Sequence, residues 1–275
     1  MASIKMVVNG IPARDGAGVN LVRVLGKSTV VDFDPFLMLD SFDSTDPDDY
    51  IRGFPMHPHR GIETLTYLVK GEIEHEDSLG NKGVIMDGSA QWMTAGSGIL
   101  HQEMPQEADR MLGIQLWINL PSAEKMTYPK YFDISESDIA KKDFDFGTLR
   151  VISGEINGIS GVKPNHLAVD FFDFEIFENK VIEIPKNEDK NAFIFLLEGD
   201  VEIDGEKYVE KSALLLSDIE KVEIKAIDNA RLLFIQGPKV KEPIAWGGPI
   251  VMNTQKELQQ AYLDLREDTF IKHEI

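Results

Sequence analysis

The chain has 275 residues, of which 43% are hydrophobic, and its formal charge at pH 7 is −19. A chain of this length can bury a substantial core and most naturally forms two domains. The acidity argues against direct binding of nucleic acid, because a phosphate backbone requires a basic surface. The absence of cysteine excludes disulfides, thiolate metal ligands and thiol nucleophiles.

The hydropathy pattern predicts that no segment spans a membrane. No apolar run approaches the length of a membrane-spanning helix, and the first ten residues lack the sustained apolar core of a signal peptide. We therefore expect a soluble, cytoplasmic protein with no membrane partner, and the composition leaves a nuclear location open.

The first predicted elements are short strands. Residues 4–8 (IKMVV) and 20–25 (NLVRVL) are apolar runs separated by a turn that contains glycine and aspartate. Residues 36–40 (FLMLD) form a third, strongly apolar strand. It leads towards the segment on which the functional interpretation depends.

Four of the six histidines lie in that segment, between residues 53 and 105. Side chains two apart in a strand face the same side, about 7 Å from each other. His57, His59 and Glu63 share one parity, and His101 and Glu103 repeat the spacing on a later segment. If the two segments become neighbouring strands, three imidazoles and one or two carboxylates converge. These ligands, with open coordination positions, are typical of a divalent first-row metal site.

The residues between these histidines predict more strands. Short apolar runs alternate with turn signals at Lys70-Gly71, Leu79-Gly80-Asn81 and Asp87-Gly88. Short strands with such closely spaced turns are typical of an all-β barrel or jelly roll.

Four motifs resemble those of the pirin family, whose members are bicupins. They are HPHRG at 57–61, EHEDSLGN at 74–81, QWMTAGSGILH at 91–101 and GPIVMNT at 248–254. The resemblance covers nearly the whole chain. It implies an all-β protein with two cupin domains, each a jelly-roll barrel, followed by a C-terminal α-helix.

The resemblance bears on the metal ligands and leaves one choice between glutamates. General cupins use the glutamate of the first motif, here Glu63, whereas pirin-like proteins use the one that follows the last histidine, here Glu103. We expect His57, His59, His101 and Glu103 to hold the metal, with Glu63 as a nearby carboxylate that supports the ligands. Four ligands leave two adjacent octahedral positions free, which favours Fe(II); Mn, Ni, Co, Cu and Zn are the alternatives.

Other residues near the motifs receive weaker interpretations. By the same resemblance, Phe36, Met38 and Phe42, which share parity, are candidates for the pocket wall, and the alternative is that they belong to the barrel core. His75 is interpreted as a structural histidine. Arg60 has the opposite parity to the ligands and is expected to form an ion pair outside the pocket.

The second half of the chain repeats the first without its histidines. Residues 111–120 form a buried strand, and a polar stretch over 121–148 marks the crossover between domains, which we place at 1–130 and 131–275. Residues 65–74 align with 193–202 at an offset of 128. At that offset Pro185, Asn187 and Asn191 replace His57, His59 and Glu63, so we expect a metal only in the first barrel.

One helix is predicted, near the C-terminus. Thr254 and Glu257 form a capping box. Leu258, Ala261, Tyr262 and Leu265 follow with helical spacing and predict one apolar face.

Two functions follow from the resemblance. The first is an iron-dependent quercetin 2,3-dioxygenase, in which the 3-hydroxyl and 4-keto oxygens of a flavonol approach the metal, dioxygen opens the heterocycle and carbon monoxide leaves. Glu103 would serve as the catalytic base, and the partners would be a small aromatic substrate and dioxygen. The alternative is a metal-dependent regulator that binds a protein partner, as a transcription cofactor or a modulator of a metabolic enzyme.

Overall fold

The computed structural model describes residues 2–273. The strands, β1 to β26 in chain order, are Ile4–Asn9, Ile11–Asp15, Val19–Leu25, Phe36–Ser44, Phe54–His59, Ile62–Lys70, Ile73–Asp77, Lys82–Ile85, Ala90–Thr94, Ile99–Pro105, Met111–Asn119, Lys130–Ile134, Ala140–Phe144, Gly147–Ser153, Glu155–Ile156, Ile159–Ser160, Asp170–Ile176, Val181–Pro185, Lys190–Glu198, Val201–Ile203, Glu206–Tyr208, Ser212–Leu216, Lys221–Ala226, Ala230–Pro238, Ala245–Gly247 and Ile250–Met252. The helix, α1, is Gln255–Arg266, and single 3-10 turns cover Pro47–Asp49 and Glu136–Asp138. The all-β architecture with one C-terminal helix is therefore confirmed.

The chain forms two compact units, each assembled from non-contiguous segments. The first unit contains Pro12–Lys27, Phe36–Glu136 and Val240–Ile275, and the second contains Met1–Ile11, Ser28–Pro35 and Ser137–Lys239. The division into domains at 1–130 and 131–275 stays a prediction.

The first unit contains a seven-stranded and a four-stranded antiparallel sheet. The strand orders are β12-β9-β6-β11-β4-β3-β2 and β5-β10-β7-β8. Apolar side chains from both sheets, such as Phe42 and Leu68 from the larger and Ile73 and Ile85 from the smaller, share one core. The C-terminal hairpin β25–β26 and the helix α1 belong to the same unit.

The second unit has the same pattern, with sheets ordered β1-β22-β19-β24-β17-β14-β13 and β18-β23-β20-β21 and the short hairpin β15–β16. Its core draws buried side chains from both large sheets, including Phe172, Phe234 and Ile224. Strand β19 lies between β22 and β24 as β6 lies between β9 and β11. β19 begins and ends 128 residues after β6, which is the offset of the predicted repeat.

Buried and partly buried side chains alternate strictly along β10, as required for His101 and Glu103 to face the same side. Ile99, His101 and Glu103 are buried, whereas Leu100 and Gln102 are only partly buried. Alternation arises because successive side chains in a strand point to opposite faces. His101 and Glu103 therefore face the interior of the first unit together.

The helix begins at the predicted capping box. The Thr254 side chain accepts from the backbone N–H of Glu257, and the Glu257 side chain accepts from the backbone N–H of Thr254. Leu258 and Ala261 are buried as predicted, but Tyr262 is 41% exposed. The polar Asp264 is buried instead, because it pairs with a buried arginine.

That arginine is Arg60, and it ties the helix to the strand that carries two of the histidines. Its Nη1 lies 2.7 Å from Asp264 Oδ2, and its other nitrogens donate to the carbonyl oxygens of Ser97 and Phe270 at 2.6 and 2.8 Å. The guanidinium also stacks over the ring of Phe270, 4.2 Å from its centroid. The predicted ion pair outside the pocket is confirmed.

We expect Arg60→Met to lower the free energy of unfolding by about 3–5 kcal/mol, since it leaves the buried Asp264 carboxylate and two carbonyls without this partner. The matched control is Lys70→Met, which breaks the exposed ion pair with Asp87 and should cost less than about 1 kcal/mol. Urea unfolding of both variants measures the difference. Equal losses would contradict the structural role of Arg60.

Candidate metal centre

Two neighbouring strands of the smaller sheet place the three histidines. Strands β5 and β10 are antiparallel, and His57 is directly opposite His101. His59 lies two residues further along β5, opposite Ile99. The interpretation that the two histidine segments become adjacent strands is therefore confirmed.

The ring nitrogens of these residues converge. His57 Nε2 lies 3.0 Å from His59 Nε2 and 3.0 Å from His101 Nε2. Their ligand atoms form the one group of three or more histidine and acidic side chains with metal-binding spacing in residues 2–273, all within 4.8 Å of one another.

The other nitrogens of His57 and His59 show where their protons are. His57 Nδ1 lies 2.9 Å from the carbonyl oxygen of Pro55, and His59 Nδ1 lies 3.1 Å from that of Pro249. A carbonyl only accepts, so Nδ1 carries the proton in both rings and Nε2 presents a lone pair.

Two lone pairs 3.0 Å apart repel each other unless a cation lies between them. Protonation is disfavoured, because burial, followed by the neighbouring imidazole of His57, lowers the pKa of His59 to about 3. Burial and the adjacent histidines also hold the pKa of His101 well below its usual value. Imidazoles in this arrangement, two of them oriented through Nδ1 by backbone carbonyls, fit a divalent metal ion.

Glu103 lies beside the histidines on the same face of β10 and is almost fully buried. Gln115 Nε2 lies 3.2 Å from each of its carboxylate oxygens, and Thr66 Oγ1 donates to Oε1 at 3.2 Å. The carboxylate is not part of the group of ligand atoms within 4.8 Å of one another. Its assignment as the fourth ligand stays a prediction.

Glu63 occupies a different place. It is fully buried on β6, opposite Thr94 of β9, and accepts a hydrogen bond from Thr94 Oγ1 at 2.7 Å. Glu63 does not line the cavity next to the histidines. The two glutamates that the sequence left as alternatives therefore have distinct surroundings.

Two of the histidines, His57 and His59, open onto a cavity of about 630 Å³ inside the first unit, a size typical of small-molecule sites. His57, His59 and Glu103 line it, together with an apolar set and a polar set that the sequence did not single out. The apolar set includes Phe54, Trp117, Trp246 and Pro249, and the polar set includes Asp15, Arg23, Lys27, Asp40 and Gln115.

Only Met38 of the three predicted wall residues lines this cavity, and the structure shows why. Met38 pairs with Trp117, but a register shift between β4 and β11 places Phe36 opposite Ile118. The shift turns Phe36 away from the face that Met38 shares with Trp117. Phe42 packs in the apolar core, where its ring lies 6.2 Å from that of Phe54.

His75 is buried outside the metal-binding group, in agreement with a structural interpretation. Its ring packs on Tyr131 with centroids 4.4 Å apart, and its Nε2 lies 3.5 Å from Asp133 Oδ1. A side chain at Gly83 would collide with it, since a Cβ there would lie 2.4 Å from His75 Nε2. Gly83 therefore preserves the space that this histidine occupies.

A buried lysine joins the C-terminal hairpin to the histidine strand. Lys125 Nζ donates to the carbonyl oxygens of Gly61 and Val251 at 2.8 and 2.9 Å and to Asn119 Oδ1 at 2.7 Å. Burial lowers the pKa of Lys125 to about 8. These bonds hold the hairpin that supplies Trp246 and the Pro249 carbonyl to the site.

Comparison with known proteins gives the family. The family model described as Pirin matches residues 18–118, and the one described as Pirin C-terminal cupin domain matches residues 171–271. The chain belongs to the pirin family. Its two-cupin fold is thereby established, with the three-histidine group in the region that the first family model covers.

Individual members of the pirin family and a solved structure agree with this family assignment. A pirin-like protein of Caulobacter vibrioides is 42% identical over 268 residues, which cover 96% of this chain and 97% of that protein. Human pirin is 37% identical over 97% of this chain and 94% of its own length. The crystal structure of a quercetin 2,3-dioxygenase from Acinetobacter baumannii superposes with a TM-score of 0.90 at 30% identity, covering 98% of each chain.

The described part of this pirin-family chain contains no helix that is both long and apolar enough to cross a membrane.

Proposed function

We propose that the protein is an iron(II)-dependent dioxygenase that cleaves flavonols, of the quercetin 2,3-dioxygenase type. The observation that carries the proposal is the group of three histidine ring nitrogens within 4.8 Å of one another, next to a cavity with aromatic walls. The likeness to a quercetin 2,3-dioxygenase structure supports the choice of substrate class.

The residues His57, His59, His101 and Glu103 would hold the metal in this proposal. Imidazole and carboxylate donors suit Fe(II) and also Mn, Co, Ni, Cu and Zn, so the donor set alone does not choose among them. When bound, the metal would acidify a hydroxyl of the substrate and bring the substrate and dioxygen together.

The chain's own residues provide proton transfer, orientation and exclusion of water. The Glu103 carboxylate, held by Gln115 and Thr66, would accept the proton of the flavonol 3-hydroxyl. Trp117 and Trp246, whose ring centroids are 5.9 Å apart, offer flat apolar surfaces to a planar aromatic substrate. Such contacts displace water from the region where the ring is opened.

Turnover by defined metal forms tests the proposal. Metal-free protein is reconstituted separately with iron(II), manganese, cobalt, nickel, copper or zinc and mixed with quercetin in air. We expect the iron form to release one carbon monoxide for each quercetin consumed, with the loss of quercetin followed by its absorbance. Its turnover should be faster than that of the zinc form. Stoichiometric metal binding without flavonol turnover by any form would contradict the proposal and favour the alternative of a metal-dependent regulator with a protein partner.

A further inference from the structure

One charged group in the wall of the metal cavity has donors that the protein itself does not use. Arg23 on β3 donates hydrogen bonds from Nε and Nη2 to the Asp40 carboxylate, with lengths of 2.9 and 2.7 Å. Its Nη2 also donates to Asp15 Oδ2, over 2.7 Å. Its Nη1 has no acceptor within hydrogen-bonding distance among residues 2–273. The side chain is 32% exposed and lines the cavity.

The guanidinium is held rigidly. Arg23 and Asp40 are directly paired residues of β3 and β4, and the Asp40 carboxylate, only 5% exposed, accepts two parallel bonds. Two-point binding of this kind sets the orientation of the guanidinium plane. The ion pair raises the pKa of Arg23 still further above its usual value, so the group stays charged. A pre-oriented donor loses little conformational entropy when a ligand binds.

An acceptor lies next to this donor. The Asp15 side chain is 50% exposed and lines the same cavity. Its Oδ1 accepts from the Gly16 amide at 2.8 Å and its Oδ2 from Arg23, and each carboxylate oxygen can accept a further bond. Arg23 with its two carboxylates has a net charge of −1, which disfavours an anionic ligand at this place.

A neighbouring donor and acceptor with no net positive charge match a hydroxyl group, which both accepts and donates a hydrogen bond. We infer that Arg23 Nη1 and the Asp15 carboxylate form a subsite for a phenolic hydroxyl of an uncharged aromatic substrate, distinct from the oxygens that reach the histidines. This inference rests on the proposed function, because it assumes that a flavonol-like molecule occupies the cavity. It specifies a hydroxylated aromatic compound as the substrate class.

Binding of three simple flavonols tests the subsite without turnover. Iron(II)-loaded protein is titrated under strictly anaerobic conditions with 3-hydroxyflavone, 3,7-dihydroxyflavone and 3,4′-dihydroxyflavone, and Kd is measured by fluorescence. We expect at least one dihydroxyflavone to bind about tenfold more tightly than 3-hydroxyflavone, as for a hydrogen bond to a charged group.

Two variants assign that preference to the subsite. Arg23→Lys keeps a cation for Asp40 but removes the guanidinium fork, and Asp15→Asn keeps the shape but removes the charge. Both should reduce the preference to less than about threefold and leave the Kd of 3-hydroxyflavone nearly unchanged, which also shows that the cavity is intact. The matched control is Arg14→Lys, an exposed neighbour on β2 that does not line the cavity; it should keep the full preference.

The outcomes separate the subsite from the proposed function. Equal Kd values for the three flavonols, a preference that survives both variants, or no binding of any of them would overturn the inference. A preference that disappears in both variants, in a protein that does not turn over flavonols in air, would overturn only the proposed function.

Discussion

Replacing His101 by alanine should abolish stoichiometric metal binding and, with it, any flavonol turnover. His101 Nε2 lies 3.0 Å from His57 Nε2, and without it two imidazoles remain. Loss of a supporting residue around a metal typically costs about 10–100-fold in affinity, so loss of a ligand should cost more than about 100-fold. Elemental analysis after loading with excess iron(II) and desalting measures the effect, against an expected one metal per chain in the parent protein.

The control for this variant is His166→Ala, which removes a histidine from the second unit. It should leave one metal per chain. At the positions equivalent to His57, His59 and Glu63, the second unit has Pro185, Asn187 and Asn191, and the Asn191 amide donates to the backbone oxygens of Asp32 and Asp34. Two metals per chain, or full occupancy in His101→Ala, would contradict the proposed site.

Replacing Glu103 by glutamine should weaken metal binding more than tenfold and stop turnover, if its carboxylate is the fourth ligand and the base. The amide has nearly the same shape but supplies neither a negative charge nor a second strong acceptor. Isothermal titration of the metal-free protein with iron(II) under anaerobic conditions gives the change in affinity, and carbon monoxide release gives the change in rate.

The matched variant is Glu63→Gln, which makes the same chemical change in a buried carboxylate that does not line the cavity. We expect it to keep nearly full metal occupancy, with a loss of activity within about 10–100-fold. Occupancy that survives Glu103→Gln and collapses in Glu63→Gln would reverse the assignment and favour the general cupin pattern.

The candidate ligand pairs could be predicted from spacing alone because they depend on local geometry. Alternation of side chains in a strand places His57 with His59, and His101 with Glu103, whatever the rest of the chain does. The capping box at Thr254 is likewise local, and it begins the helix where predicted. The repeat between β6 and β19 was also visible, because equivalent strands keep equivalent apolar patterns.

The alternation of side chains along a strand did not suffice to predict which residues line the cavity. Phe36, Met38 and Phe42 share parity, yet only Met38 lines the cavity. A bulge turns the residues beyond it to the opposite face of the sheet. The register shift at Phe36 arises from pairing with β11, which is distant in sequence.

The remaining parts of the site depend on contacts between distant segments. Arg23 and Asp15 reach the cavity because β2 and β3 extend the sheet next to β4, and Trp246 and Pro249 reach it on a hairpin held by Lys125. No local period encodes which strands become neighbours, since that choice is set by burial of the whole core and by long-range pairing. Short-range spacing thus determines the candidate metal ligands, whereas the cavity that would select a substrate exists only in the folded chain.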